Sequence, residues 1–330
     1  MPVTMRDVAQ QAGVSIKTVS RVVNDQPELS DATRQRVLAV IDSLGYRPNI
    51  LARALVTQRT QIVGLVVVAL DNPCFIEIAR GVQAAGRAHD YQVFLITGDE
   101  GPHEEQHILK ALAAYGMDGI VIYATPHSDR YLAEHAGRFP PLVVIHGLAE
   151  HPNISHVRAD FEAGARLAVD YLIGRGHRAI GMVANTEAAP ARRRCERGYA
   201  ASLRAHGLTL RPERIEHGPP RIEGGYEAAR RLLTAHGELT ALFAYNDLMA
   251  IGALRACREL RRRVPEDCAI VGFDDAPLAT IVTPNLTTVR VDRRELGRQA
   301  FLRLLEKMNR PAAVYPPLVL PPELVVRESA

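Results

Sequence analysis

Beyond Gln61 the chain alternates short apolar runs with amphipathic helical stretches, the runs falling at 62–70, 93–97, 119–123, 142–145, 179–184, 241–244 and 269–273. No other feature constrains the fold as much. The runs are continuous rather than alternating, so the strands they predict are buried on both faces, as in parallel sheets covered by helices. The succession of strands and helices predicts two similar doubly wound lobes. Ligands of such sheets sit beyond the carboxyl ends of the strands. Two facing lobes therefore predict a cleft suited to a small molecule. The longest run, 62–70, is far too short to span a bilayer.

The first 60 residues have a different texture, that of short helices with clear start and stop signals. Thr4 and Asp7 are spaced as a capping box, ahead of the apolar stripe Val8, Ala9 and Ala12. Gly13 breaks the pattern. Ser15 is placed to cap a second helix with Val19, Val22 and Val23 inward. Asn24-Asp25-Gln26-Pro27 reads as a loop. Ser30 opens a third helix with Val37, Leu38, Ile41 and Leu44 inward, and Gly45 is a natural terminator. Tyr46-Arg47-Pro48 reads as an extended exit, 49–56 as a short helix and Thr57-Gln58-Arg59-Thr60 as a linker. This segment carries eight basic and five acidic side chains, and the rest of the chain balances, so the whole +3 net charge lies here. That is the expected placement if this segment alone meets a polyanion.

On the second helix Ile16, Lys17, Ser20 and Arg21 share the face opposite the valine stripe. A helix start carrying polar and basic side chains suits the major groove, where its first turn meets base edges. A solvated amphipathic helix is the alternative reading of the same residues.

Wider blocks decide between them. Met5-Arg6-Asp7-Val8-Ala9-Gln10-Gln11-Ala12-Gly13-Val14-Ser15, then Thr18-Val19-Ser20-Arg21-Val22-Val23-Asn24, closely resembles the LacI/GalR family of bacterial regulators. So do Leu44-Gly45-Tyr46-Arg47-Pro48-Asn49, Ala52-Arg53-Ala54-Leu55 and Asn246-Asp247-Leu248-Met249-Ala250-Ile251-Gly252-Ala253. So do Val271-Gly272-Phe273-Asp274-Asp275, Pro284-Asn285-Leu286-Thr287-Thr288-Val289 and Leu324-Val325-Val326-Arg327-Glu328-Ser329. The blocks run through the chain in family order.

The resemblance implies a small all-α helix-turn-helix domain at 1–48 and a hinge helix with linker at 49–61. At 62–330 it implies a two-lobed α/β sensor and dimerisation domain of the periplasmic-binding-protein kind, with two doubly wound parallel sheets. The DNA contacts it implies are Thr4, Ser15, Ile16, Lys17, Thr18, Ser20, Arg21 and Asn24 in the reader, with Asn49, Ala52, Arg53 and Leu55 in the hinge. Paired hinge helices of a dimer enter the minor groove, with Leu55 as the wedge that kinks the duplex and Arg53 near phosphate. Leu55 as a packing residue of a short helix is the other reading. An eight-residue helix is marginal in isolation, which makes the hinge a candidate switch.

For the sensor, the resemblance places Asp71, Asn72 and Phe75 after the first strand, Asn246 before a helix and Asp274 in the Gly-Phe-Asp-Asp turn around the ligand. Tyr123, closing the third run, is added to this set. Asp247 is either a helix cap or a ligand contact, and Asp275 is expected to be structural. Asn and Asp suit a hydroxyl-rich ligand, and an aromatic ring suits a sugar's C–H face. Three positions depart from the family. Its Ile-Asp-Arg turn reads Ile145-His146-Gly147, its Asp-Asn pair reads Asp160-Phe161, and Cys195 stands where its pocket arginine would be. His146 is then a ligand contact or a buried histidine, Phe161 joins the pocket, and Arg194 is the nearest substitute for the arginine.

Competing signals are thin. His103-Glu104-Glu105-Gln106-His107 matches the H-E-x-x-H zinc pattern, but no third ligand follows it closely, and a polar helix start explains it as well. Phosphate-loop, dinucleotide and nucleophile-elbow patterns are missing. Four scattered cysteines without CxxC spacing read as reduced thiols, and no signal peptide opens the sequence, so a cytoplasmic address is expected. No catalytic residue, metal or cofactor is expected. The function expected is a sequence-specific transcription regulator, a repressor, controlled by a small molecule of the sugar kind. Its partners are a pseudo-palindromic operator and a second copy of itself, with no membrane. The competing class is a cytosolic sugar-binding module or sugar-processing enzyme with an accessory DNA domain.

Overall fold

In the computed structural model the described residues are 3–23, 29–47, 59–67, 72–97, 102–186 and 190–330, and the side chains of 102–106, 113 and 126 fall outside them. Asn24, Asn49, Ala52, Arg53 and Leu55 of the expected DNA contacts, and Asp71 of the expected pocket, lie outside the described residues. The chain divides into two compact units, Met1–Thr60 and Gln61–Ala330.

The first unit holds α1 (Met5–Ala12), α2 (Ile16–Val23) and α3 (Asp31–Leu44). Thr4 and Asp7 form a reciprocal capping box at the start of α1. Gly13, at φ 63°, ends α1 in the left-handed region that glycine adopts without penalty. Ser15 Oγ accepts the Thr18 N–H at 3.0 Å and so caps α2. The core is Val8, Ala9, Ala12, Val19, Val22 and Val37. One expectation is corrected. Leu38 is 43% exposed, because the α3 stripe runs through Val37, Val40, Ile41 and Leu44, and Leu38 lies about 100° round the helix from Val37. Tyr46, just past the Gly45 cap, leaves the helix with its side chain buried in the core.

The second unit contains two six-stranded sheets. The first takes β1 (Ile62–Val67), β2 (Gln92–Thr97), β3 (Gly119–Tyr123), β4 (Leu142–Ile145), β5 (Ile154–Ala159) and β11 (Leu318–Leu320). Its order is β11-β5-β4-β3-β1-β2 and every pairing is parallel. The second takes β6 (Ile180–Asn185), β7 (Ile215–Gly218), β8 (Ala241–Ala244), β9 (Ala269–Asp274), β10 (Thr287–Arg290) and β12 (Glu323–Val325). Its order is β12-β10-β9-β8-β6-β7, parallel except that edge strand β12 runs antiparallel to β10.

Each of the seven apolar runs carries a strand. β5 is not legible as a run, because Ser155, His156 and Arg158 break up its apolar residues although the strand is interior. β11 and β12 are three residues each, too short for a pattern. The chain changes lobe three times. After β5 it enters α7 (Phe161–Gly174), which packs on α8 (Pro190–Ala205) and β10. After β10 it returns through α11 (Arg293–Asn309) to pack on α4 (Pro73–Ala88). It crosses again between β11 and β12.

Candidate functional site

The lobes meet around a cavity of about 970 Å³ of empty space, part of it open to solvent. Its lining comes from strand ends and the helix starts that follow them, as open parallel sheets dictate. α4 begins at Asn72, whose side chain accepts the Cys74 N–H at 3.0 Å; Asn72, Cys74 and Phe75 all face the cavity. Tyr123 ends β3, Ala124 and Thr125 follow it, and Thr125 caps α6 (Pro126–His135). In the other lobe Tyr245 and Asn246 follow β8, and Asn246 Oδ1 caps α10 (Asp247–Glu259) by accepting the Met249 N–H at 2.8 Å.

Of the described residues expected in the pocket, Asn72, Phe75, Tyr123, His146, Phe161, Asn246 and Asp274 are brought together here. Their rings form a ladder. Phe75 meets Tyr123 edge-on at 4.8 Å between centroids, Tyr123 meets His146 at 5.1 Å and His146 meets Phe161 at 4.8 Å. Such a wall takes C–H faces of a ring.

Arg194 is not among the lining residues. It is buried one position from Cys195, about 100° round α8, and its electrostatic neighbours are Arg158, Arg197, Asp160 and Asp129. Cys195 itself is fully buried in the core. The arginine that does line the cavity is Arg293, the first residue of α11, which donates to Asp274 across a buried ion pair. Burial alone would lower the guanidinium's pKa, but Asp274 holds it above its ordinary value. Sequence reasoning missed Arg293 along with Arg221, Asn185 and Tyr245. The strand-end rule could have nominated Asn185 and Tyr245. For Arg293 the signal was a cation in a first helical turn, where the helix dipole disfavours positive charge.

His146 is 2% exposed and adopts φ 66°. Burial, then the charges of Arg293, Arg194 and Arg158, drive its pKa well below 6.5, so the ring is neutral. The Ala159 N–H lies 3.4 Å from Nδ1 and can only donate, which places the ring proton on Nε2. Asp247 is structural. It accepts from the Ala276 N–H at 2.7 Å and the Thr288 hydroxyl at 2.5 Å, and Asn246, not Asp247, is the helix cap. Burial, then the nearby Asp274, raises the Asp247 pKa well above the usual carboxylate range. Asp275 bonds Arg327 at 2.5 Å and stands 3.6 Å from Arg290.

In the first unit Ser15, Ile16 and Lys17 are exposed at the start of α2, with Thr18, Ser20 and Arg21 half-buried on the same helix and Thr4 exposed ahead of α1. Ile16 leaves 45% of its surface in solvent beside the exposed Lys17. The zinc-like pattern lies at the start of α5 (Pro102–Ala114). Among the described residues no three His, Cys, Asp or Glu side chains are placed to hold a metal, and no helix is long and apolar enough to cross a membrane.

Comparison with known proteins agrees with both units. Residues 4–49 match the model of bacterial regulatory proteins of the lacI family, and 169–330 match a periplasmic binding protein-like domain. Catabolite control protein A of Priestia megaterium is 33% identical over 330 residues, covering 100% of this chain and 99% of its own. The solved lac repressor dimer bound to operator and the anti-inducer ONPF superposes with a TM-score of 0.90 at 29% identity, covering 100% of this chain and 99% of that one. A complex of the transcriptional regulator CelR with cellobiose gives 0.77 at 33% identity, covering 99% and 100%. With end-to-end identity above 30% and the same two-unit plan, the chain belongs to the LacI family of bacterial regulatory proteins.

Proposed function

We propose that this regulator is a repressor whose hold on a pseudo-palindromic operator is set by a carbohydrate or carbohydrate derivative bound between the lobes. One observation carries the reading. A single chain presents the exposed Ser15-Ile16-Lys17 end of a helix-turn-helix and a cleft lined by aromatic rings and amide side chains. The relatives support it, since one solved neighbour is a dimer on its operator and another holds a disaccharide. The ligand contacts are Asn72, Phe75, Tyr123, His146, Phe161, Asn246 and Asp274, and the base contacts are Ile16 and Lys17. By the family resemblance Leu55 acts as the wedge.

The working form is a homodimer in the cytoplasm, binding its effector without turnover. Exposed apolar side chains available to a second copy are Phe94 and Leu95, on opposite faces of edge strand β2 at 51% and 45% exposed, and Ile222 and Ile281 on the other lobe. The effector shifts operator affinity only by its differential affinity for the two lobe arrangements.

Selection of the full chain against a random DNA library tests the reading. Enrichment of an inverted repeat is expected, with its sequence altered by Lys17→Ala at a cost of about 1–3 kcal/mol at the read base. A library that stays unenriched, with and without sugars, overturns it.

A further inference from the structure

The corner that brings His146 into the cleft is held from outside the cleft. We infer that Asp129 is a positioning residue for effector binding: it fixes the turn that aims His146 at the ligand, as Asp247 fixes the turn that carries Asp274. This role rests on the reading of the cleft as the effector site.

β4 ends at Ile145, and the next residue, His146, takes φ 66°. A residue with a Cβ is strained there, and keeps that conformation only where its surroundings impose it. Upstream the sheet does so, since the His146 N–H donates to Val157 O of β5 at 3.1 Å. Downstream the strand has ended, and a side chain takes over. The Asp129 carboxylate accepts the Leu148 N–H at 2.7 and 2.9 Å and the Ala149 N–H at 2.7 Å. Hydrogen bonds to a charged acceptor are stronger than neutral ones. Gly147 passes so close that a Cβ there would meet Asp129 Oδ1 at 2.7 Å and run into Val144. His156 of β5 closes the far side, its Nε2 3.0 Å from Ala149 O.

Two observations tie this clamp to the ligand and not to the fold alone. α6 carries Asp129 in its first turn, and its cap Thr125 lines the cavity together with His146. One helix end therefore borders the ligand space and also sets the histidine beside it. The second lobe repeats the device with other residues. Asn246 lines the cavity and caps α10, and Asp247 in the first turn of α10 accepts the Ala276 N–H at 2.7 Å. Ala276 lies two residues past Asp274, as Leu148 lies two past His146. Both lobes thus spend a carboxylate from the helix after the third strand on the corner after the fourth. Asp129 is half-buried and is not among the lining residues, so it acts through His146. Leu148 is 48% exposed, so water can take the place of the carboxylate in a variant, and the corner relaxes while the chain still folds.

Magnetic resonance of the histidine-labelled full chain tests the positioning without any ligand. The His146 ring stands edge-on to Tyr123 and Phe161, so its imidazole signal carries the ring-current shifts of both, and His146→Gln identifies it. Asp129→Ala is expected to move that signal and to leave those of His217 and His236 in the second lobe in place. Parent and variant are then titrated calorimetrically with cellobiose, glucose and ribose. The sugar that the parent binds most tightly is expected to bind Asp129→Ala tenfold or more weakly. Asp129→Asn should recover most of the loss, because its Oδ1 can still accept from both N–H groups. The control is Asn153→Ala, which removes hydrogen bonds to the Ala136, Phe139 and Pro140 carbonyls at the opposite end of the first sheet. It is expected to lower stability and to bind within twofold of the parent. If the His146 signal stays in place, or if Asp129→Ala binds no worse than Asn153→Ala, the inference falls and the effector site survives. If the parent binds none of the three sugars, the reading of the cleft as a carbohydrate site falls, and the role of Asp129 in it falls too.

Discussion

The two lobes follow one backbone plan and carry different chemistry. Their sheets have the same strand order, β11-β5-β4-β3-β1-β2 in one and β12-β10-β9-β8-β6-β7 in the other. The third strand in sequence leads in both to a tyrosine and then a helix cap on the cleft: Tyr123 and Thr125, Tyr245 and Asn246. The fourth leads to a residue of positive φ, His146 at 66° and Asp274 at 116°. The fifth leads to an aspartate cap and a first helical residue facing the cavity, Asp160 with Phe161 and Asp292 with Arg293. At the last two pairs the first lobe offers a neutral imidazole and a phenyl ring, the second a carboxylate and a guanidinium. Backbone order is held by strand packing, which spans each sheet. Side chains just past the strand ends are outside that packing and free to specialise.

The positive φ values at His146 and Asp274 fit that division. Non-glycine residues held at positive φ are strained and cluster at functional sites. Their matched places suggest that each lobe turns the same corner to aim one side chain into the cleft.

The sharpest way to break the comparison is to remove the charge from one side. Arg293→Gln leaves Asp274 buried without its partner, and a loss of about 3–5 kcal/mol in urea unfolding at fixed protein concentration is expected. The double variant Asp274→Asn with Arg293→Gln should recover most of it, since neither charge is then stranded. A single-variant loss under about 1 kcal/mol would show that the pair does not hold the second lobe's side of the cleft.

A smaller effect is expected where the lobes fill the same space differently. At the position matching Val144 of β4, strand β9 has Gly272. A Cβ there would meet Asp247 Oδ1 at 2.3 Å, because the carboxylate reaches across to Thr288 and Ala276. Gly272→Ala should cost about 1–3 kcal/mol by overpacking. Adding Asp247→Ala should reduce that cost, and equal costs in both backgrounds would break the explanation.

The sequence made the plan legible and half of the cleft with it. Continuous apolar runs marked the interior strands because burial on both faces leaves no polar alternation. β5 escaped because Ser155, His156 and Arg158 interrupt its apolar side chains. Asn72, Asn246 and Asp274 were legible through the family resemblance, whose matching blocks fall at the caps and turns that follow strands. Arg293 was not, since it reaches the cavity only through the return of the chain to the first lobe, a long-range event. The substitution at Cys195 suggested looking one residue away, to Arg194. Helix geometry turns that neighbour out of the cleft, and the arginine that lines the cavity, Arg293, lies on another helix.

The smallest effect tests whether the first lobe's side of the cleft is neutral. In the unfolded chain a histidine takes up its proton near pH 6.5, whereas burial and the charges of Arg293, Arg194 and Arg158 keep His146 unprotonated well below that. The unfolded state therefore binds more protons as pH falls. The stability that His146 lends is whole above pH 6.5 and drains away below it, at up to about 1.4 kcal/mol per pH unit. His156 and His177 are also lowered, chiefly by burial, so the parent chain has several sources of acid sensitivity. The difference between the parent and His146→Gln isolates one of them. Urea unfolding from pH 7.5 to 5 should show the two curves converging as the solution acidifies, with the parent losing more. Parallel curves would mean that His146 takes up its proton at the same pH in the folded and unfolded chains, so that burial beside Arg293 does not keep the ring neutral.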